Sequence, residues 1–273
     1  ETDLQRKVAR QISGQMTTFF TQVEDDLRLT NQMQGLSTMD RNGQHAVLSK
    51  LLAHRDAFEE LTLLDNQGQE QIRLSRHSVI TTMEDRSQAH EFVSPQTTGQ
   101  TYYGPVRFDE MTGEPLMAIS LPLFDMRSGQ LAGVLVSEVR IKKVWALIAE
   151  VRVDPGQSVY IIDAQGQVVA HPNPSEVLRG ANLRVLDAAG GIQPGLNGSR
   201  VVLAIEKVSV GDQEFNVVAE QTVSEALALG INTVRITVVL VVVMLMISAT
   251  LGILIVRQIV QPIQAMAAVA QAI

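Results

Sequence analysis

The chain has 273 residues, of which 45% are apolar and 19% charged, with a formal net charge of −7 and no cysteine. This length suits two modest domains better than one large enzyme core. The acidic balance, with no Lys/Arg-rich block, argues against a nucleic-acid-binding protein. The lack of cysteine excludes disulfide scaffolds, thiolate zinc sites and cysteine nucleophiles.

The N-terminal region predicts one long amphipathic helix, which we assign to residues 1–40 as a stalk helix. Its apolar residues recur every three or four positions and therefore share one face; they are Leu4, Val8, Ile12, Met16, Phe19, Val23 and Leu27. We expect this helix either to lie along a domain or to pair with a second copy of itself.

The middle of the chain contains an internal repeat. Residues 62–73 (TLLDNQGQEQIR) match residues 160–171 (YIIDAQGQVVAH), and each copy places Asp-x-x-Gly between two strands, as in a hairpin. A second correspondence joins residues 131–138 and 215–220, each followed by a helical segment. The repeat predicts an α+β fold with two tandem modules and antiparallel sheets, over residues 41–151 and 152–230.

Residues 236–256 form a run of 21 residues without a charge, which spans roughly 30 Å as a helix. A buried core helix would be shorter and would carry a polar stripe, so we assign residues 234–256 to a transmembrane helix. Arg235 and Arg257 flank the run and leave its orientation open. Because the sequence begins with Glu1, we expect it to be a piece of a longer membrane protein.

Residues 257–273 predict a further helix with Pro262 near its start. Its apolar residues follow a heptad pattern, at Ile259, Ile263, Met266, Ala270 and Ile273. This segment resembles the first helix of a HAMP relay; the alternative is a generic amphipathic helix next to the membrane. The HAMP resemblance implies that residues 257–273 are cytoplasmic and that residues 1–235 are extracytoplasmic, at the inner membrane.

The two modules resemble the double Cache domain, a PAS-like extracytoplasmic sensor of bacterial transmembrane receptors. The resemblance covers residues 4–223 and rests on four segments, at residues 160–172 (YIIDAQGQVVAHP), 137–145 (SEVRIKKVW), 60–68 (ELTLLDNQG) and 103–106 (YGPV). It implies a homodimer that binds a small molecule in the membrane-distal module. It also implies a relay through the transmembrane helix to an output domain, such as a histidine kinase in a two-component system or a nucleotide cyclase.

The sequence contains no catalytic pattern. Its five histidines, His45, His54, His77, His90 and His171, are scattered without metal-ligand spacing. Asp65 and Asp163 open turns that lack the later acidic ligands of a calcium loop. We therefore expect no enzyme activity, no cofactor and no metal site.

The resemblance places the main pocket in the distal module, whose polar candidates for ligand binding are Arg73, Arg76, Arg86, His90, Tyr102, Tyr103, Arg107, Ser120 and Glu138. Because the guanidinium fork suits a carboxylate, these arginines predict a small anionic metabolite. The amino-acid-binding branch of the family carries an Arg-x-Trp-Tyr motif and an Asp on its last strand. In this sequence the helical insert, which we expect to include residues 86–90, reads RSQAH there, and Glu138 stands in place of the Asp.

The sequence is also compatible with two other functions. A membrane-anchored adhesion or scaffold module could use the same fold without a small ligand, and its pocket would be filled by large side chains. An exported, anchored enzyme would need acid–base or metal-binding residues that cluster only in space. We also expect Trp145, the only tryptophan, to pack at the junction between the two modules.

Overall fold

The computed structural model describes residues 2–109, 112–125, 127–150, 157–183 and 192–255. The chain divides into two compact units, Glu1–Thr222 and Val223–Ile273. The helices of the first unit are α1 (Thr2–Gln34), α2 (Arg41–His54), α3 (His90–Thr98), α4 (Lys142–Glu150) and α5 (Pro174–Leu178), with a short 3₁₀ turn at Leu36–Thr38. Its strands are β1 (Phe58–Asp65), β2 (Glu70–Ser75), β3 (Tyr102–Phe108), β4 (Pro115–Phe124), β5 (Leu131–Arg140), β6 (Gln157–Asp163), β7 (Val168–Ala170), β8 (Ile192–Pro194), β9 (Arg200–Val210) and β10 (Gln213–Thr222).

The strands form two antiparallel sheets of five strands with the same topology. The first sheet has the order β2-β1-β5-β4-β3, and the second has the order β7-β6-β10-β9-β8. This repetition confirms the predicted α+β fold with two successive sheet modules. The boundaries given above for the individual modules stay predictions.

The two matching turns have the same geometry, which confirms the hairpins predicted from the repeat. Asp65 Oδ1 accepts hydrogen bonds from the backbone amides of residues 67 and 69, and Asp163 Oδ1 does the same for residues 165 and 167. Gly68 and Gly166 adopt φ values of 84° and 83°, in the left-handed region that favours glycine. In both places the aspartate closes a turn.

Helix α1 packs along β4, β9, β10 and α4, so its apolar face is covered within the chain. The buried residues on this face are Ala9, Ile12, Met16, Phe20, Val23 and Leu27. The sequence pattern predicted Phe19 in this set, whereas Phe20 is buried and Phe19 is only partly so. The spacing from Met16 to Phe20 and then to Val23 is four and three residues, which keeps all three on one helical face.

Trp145 on α4, the helix that follows the first sheet, contacts the second sheet, as expected for a residue at the junction. Its indole Nε1 donates a hydrogen bond to the carbonyl oxygen of Val169 on β7, 2.8 Å away, and its side chain packs against two apolar clusters, one that joins both sheets and one on the second sheet. One boundary differs from the sequence-based expectation. Helix α3 begins at His90, so Arg86 precedes it rather than lying within it.

The second unit contains helix α6 (Val223–Ile255), which begins immediately after the last residue of β10. Within the part of the chain that the structure describes, one stretch of helix is long and apolar enough to cross a membrane, Val234–Leu251, and none of it is buried. The predicted HAMP segment at residues 257–273, with its heptad pattern, lies outside the described residues.

Candidate functional site

The first sheet has two different faces. One face packs its apolar side chains against α1, and the other lies beneath α3 and the loop that precedes it. On this second face, strand alternation places two cross-strand rows side by side. Glu60, Glu138 and Ala118 form one row, and Thr62, Val136 and Ser120 form the next.

A cavity of about 680 Å³ opens on the second face. Its charged lining includes four arginines, Arg73, Arg86, Arg107 and Arg140, and six carboxylates, Glu59, Glu60, Glu91, Asp109, Glu114 and Glu138. This volume accommodates a small metabolite. The lining carries more negative than positive groups.

Each of the four arginines is paired with a carboxylate. The N–O distances are 2.8 Å for Arg73–Glu60, 2.7 Å for Arg86–Glu70, 2.6 Å for Arg107–Glu138 and 2.8 Å for Arg140–Glu114. Burial alone would lower the pKa of Arg107, but its bond to Glu138 raises that pKa above the usual value. Arg107 therefore stays charged, and all four arginines are held in place by their carboxylate partners.

Glu138 on β5 is the most distinctive residue of the site. Its side chain is 11% exposed, and its Oε1 atom accepts a hydrogen bond from Arg107. Among the described residues, nothing hydrogen-bonds to its buried Oε2 atom, and the same is true of the Oγ atom of Ser120, its diagonal neighbour on β4. Burial raises the pKa of Glu138, although Arg107 opposes this shift. Two buried oxygen atoms on the same face of the sheet thus lack a hydrogen-bond partner, at a cost of about 1–3 kcal/mol each while they stay unsatisfied.

The nine predicted site residues fall into three groups. Arg73, Arg86, Arg107 and Glu138 line the cavity. Ser120 and Tyr102 are opposite each other in the β3–β4 register and share the cavity's face of the sheet without lining the cavity. The remaining three, Arg76, His90 and Tyr103, lie elsewhere.

These three residues have other surroundings. Arg76 donates hydrogen bonds to the carbonyl oxygens of Phe58, at 2.6 Å, of Arg55, at 2.8 Å, and of Leu52, and so holds the C-terminal end of α2. His90 is the exposed first residue of α3. The Tyr103 hydroxyl donates to Glu24 on α1, 2.7 Å away, on the other side of the sheet.

Sequence reasoning missed the carboxylates Glu60 and Glu114, which bind Arg73 and Arg140. The position of Glu60 could have been predicted from strand alternation. Glu60 precedes Thr62 by two residues in the same strand, so both side chains lie on the same face of the sheet, the face that carries Glu138. Glu114 precedes β4 within a turn, where the sequence gives no comparable signal.

A Cache domain family model matches residues 1–229, which is most of the chain. The chain belongs to the Cache domain family. Cache domains are sensory ligand-binding domains and not catalytic ones, so this region of the chain is a sensor and not an enzyme. A comparison with the sequences of curated proteins gives no match.

Solved structures of similar fold include ligand-binding domains of three bacterial chemoreceptors. The domain of the Pseudomonas aeruginosa PAO1 amino acid chemoreceptor PctC, in complex with GABA, is 16% identical, with 81% of this chain and 99% of that chain covered and a TM-score of 0.64. The Campylobacter jejuni Tlp3 domain with L-valine is 14% identical, with coverage of 82% and 93% and a TM-score of 0.64. The Pseudomonas fluorescens CtaA domain with L-leucine is 12% identical, with coverage of 82% and 96% and a TM-score of 0.61. At these identities the likeness shows the fold.

Proposed function

We propose that residues 1–222 are the extracytoplasmic sensing region of an inner-membrane receptor, and that a small molecule binds in the cavity of the first sheet. The observation that carries this proposal is the carboxylate of Glu138, which lines the cavity and whose buried Oε2 atom has no hydrogen-bond donor among the described residues. An open cavity of about 680 Å³ speaks against the adhesion-module alternative, which would fill this space with large side chains.

We further propose that the ligand carries an ammonium group. The arginines considered alone predict an anion, but each already binds a carboxylate, and six carboxylates line the cavity against four arginines. An ammonium group has three donors, and one bound against Glu138 would supply the donor that its Oε2 atom lacks. A carboxylate on the same molecule could still bind the outer donors of the arginines. The ligands named for the similar structures, GABA, L-valine and L-leucine, have both groups.

The proposed signal passes to the membrane through α6. This helix starts at the residue after β10, and the apolar stretch Val234–Leu251 lies within it, so no loop intervenes between the second sheet and the lipid-contacting segment. Binding would favour one of two helix arrangements in a homodimer, with about 1–3 kcal/mol of coupling. Residues 257–273 would receive the shift as the start of a HAMP helix and pass it to a cytoplasmic output domain.

Calorimetric titration of the full chain in detergent tests the ligand proposal. The amine-bearing probes are GABA, L-arginine, L-glutamate and putrescine, and the amine-free probes are succinate and malate. We expect binding within the first set, and we expect Glu138→Gln to weaken it by about 10- to 100-fold, because a hydrogen bond to a charged group contributes about 1.5–3 kcal/mol.

The matched control is Glu206→Gln. Glu206 lies on β9 of the second sheet and forms a surface ion pair with Arg10 of α1. This substitution should leave the affinity unchanged. Binding of succinate or malate alone, made tighter by Glu138→Gln, would show that the ligand is the anion predicted from the arginines and that the ammonium proposal is wrong.

A further inference from the structure

We infer that Phe92 is a specificity-determining residue of the distal cavity: it fills the apolar part of the site face, so the site excludes ligands with an aliphatic side chain. This inference deepens the proposed function and rests on it. It assigns the ligand to small molecules that are polar over their whole surface.

The walls of the cavity are polar. Among its lining residues that the structure describes, Leu116 is the only one with an apolar side chain. The other lining side chains are charged, imidazole or hydroxyl groups, and an aliphatic group placed against them would separate polar groups from water without offering a hydrogen bond in return.

The apolar part of the same sheet face lies next to the cavity but is already occupied. Leu64, Phe92, Val134 and Val136 form a separate cluster in which each residue is at most 2% exposed. Val136 precedes Glu138 by two residues on β5, so the two side chains point to the same face and are neighbours along the strand. None of these four residues lines the cavity, and the cluster that Phe92 completes adjoins Glu138 through Val136 on the same face of the sheet.

One backbone hydrogen bond and one packing contact position Phe92. Its backbone amide donates to the carbonyl oxygen of Ala89 at 3.0 Å, in the first turn of α3. The β1–β2 turn lies behind the ring, where a Cβ atom on Gly68 would approach the Phe92 Cδ1 atom to 3.0 Å. The Gly68 backbone therefore packs against the ring and limits its movement in that direction.

The inference is tested with L-leucine and L-valine as probes in calorimetric titrations of the full chain in detergent. Wild type should bind neither. Phe92→Ala removes a ring larger than either aliphatic side chain and leaves an apolar, dry space, and spaces of this kind bind small apolar groups. We expect the variant to bind L-leucine at least about tenfold more tightly than wild type does.

Phe20→Ala is the matched control. Phe20 is as buried as Phe92, but it lies on α1 and belongs to a different apolar cluster. This variant should gain no affinity for L-leucine. If Phe92→Ala fails to fold, as judged by its thermal unfolding curve, Phe92→Val takes its place, with L-valine as the probe.

The outcomes separate the two proposals. Binding of L-leucine or L-valine by wild type overturns the role of Phe92, as does a folded Phe92 variant that gains no affinity. If wild type binds GABA, L-arginine, L-glutamate or putrescine in either of these cases, the sensor proposal stands and the specificity inference alone fails. If wild type binds none of the probes and the Phe92 variant gains none, both fail.

Discussion

The turn between β9 and β10 should be intolerant of a side chain at Gly211, because it packs directly on the first module. A Cβ atom at Gly211 would lie 2.1 Å from the Tyr103 Cδ2 atom, and Gly211 has a φ of 55°. The Gln213 side chain next to it donates to the carbonyl oxygen of Tyr103 at 3.0 Å. Gly211→Ala therefore adds left-handed strain of about 1–2 kcal/mol and overpacking of about 1–3 kcal/mol.

Gly198→Ala separates these two costs. Gly198 has a φ of 73°, and a Cβ atom there would meet nothing within 4 Å, so this change brings the strain without the clash. In urea unfolding of the full chain, Gly211→Ala should lower the free energy of unfolding by about 1–3 kcal/mol more than Gly198→Ala does. In a Tyr103→Ala background the two substitutions should cost the same, because the clashing ring is gone. Equal costs in the wild-type background would refute the proposed contact.

Two further predictions concern buried polar contacts, both measured by urea unfolding. Arg76→Met should lower the free energy of unfolding by about 2–3 kcal/mol, since it removes the donor from two carbonyl oxygens at the end of α2 and from that of Phe58 at the start of β1; a change below about 0.5 kcal/mol would contradict this. Burial alone would raise the pKa of Glu24, but hydrogen bonds from Thr101, Tyr103 and Arg28 hold that pKa below its usual value of 4.5. The stability that this carboxylate contributes is therefore present above pH 4.5 and is lost as the pH falls through the lower, folded-state pKa. Glu24→Gln should destabilise the protein at pH 7 and much less at pH 3, whereas an equal loss at both pH values would contradict the assignment.

The repeated hairpins could be predicted because their determinants are local. Asp65 and Asp163 close their turns on amides two and four residues away, within one short segment of sequence. The tandem α+β arrangement followed from recognising that segment twice. The long helix α1 could be predicted for the same reason, since its pattern depends on spacings of three and four residues.

The site was less predictable because its contacts join distant parts of the chain. Arg73 pairs with Glu60 across β1 and β2, and Arg107 reaches Glu138 from two strands away. Spacing along the sequence does not reveal such pairs, and without them the arginines alone indicated an anion.

Strand geometry places two of the predicted site residues on opposite faces of the first sheet. Tyr102 and Tyr103 were both expected in the pocket, but adjacent residues of a strand point to opposite faces. Tyr102 faces the same side as Ser120, and Tyr103 reaches Glu24 on α1. The sequence thus contained enough information to accept only one of the two tyrosines, once β3 was assigned as a strand.

The two modules have the same topology but differ in how one buried carboxylate is satisfied, and this difference favours the first module as the ligand-binding one. Glu138 and Glu220 occupy corresponding positions on the central strands β5 and β10, and Thr62 corresponds to Tyr160. The Tyr160 hydroxyl donates to Glu220 Oε2 at 2.9 Å, and burial raises the pKa of this tyrosine, so it stays a donor. Thr62 is too short to do the same for Glu138. The second module therefore satisfies its carboxylate with its own side chain, whereas in the first module the proposed ligand would supply the corresponding donor.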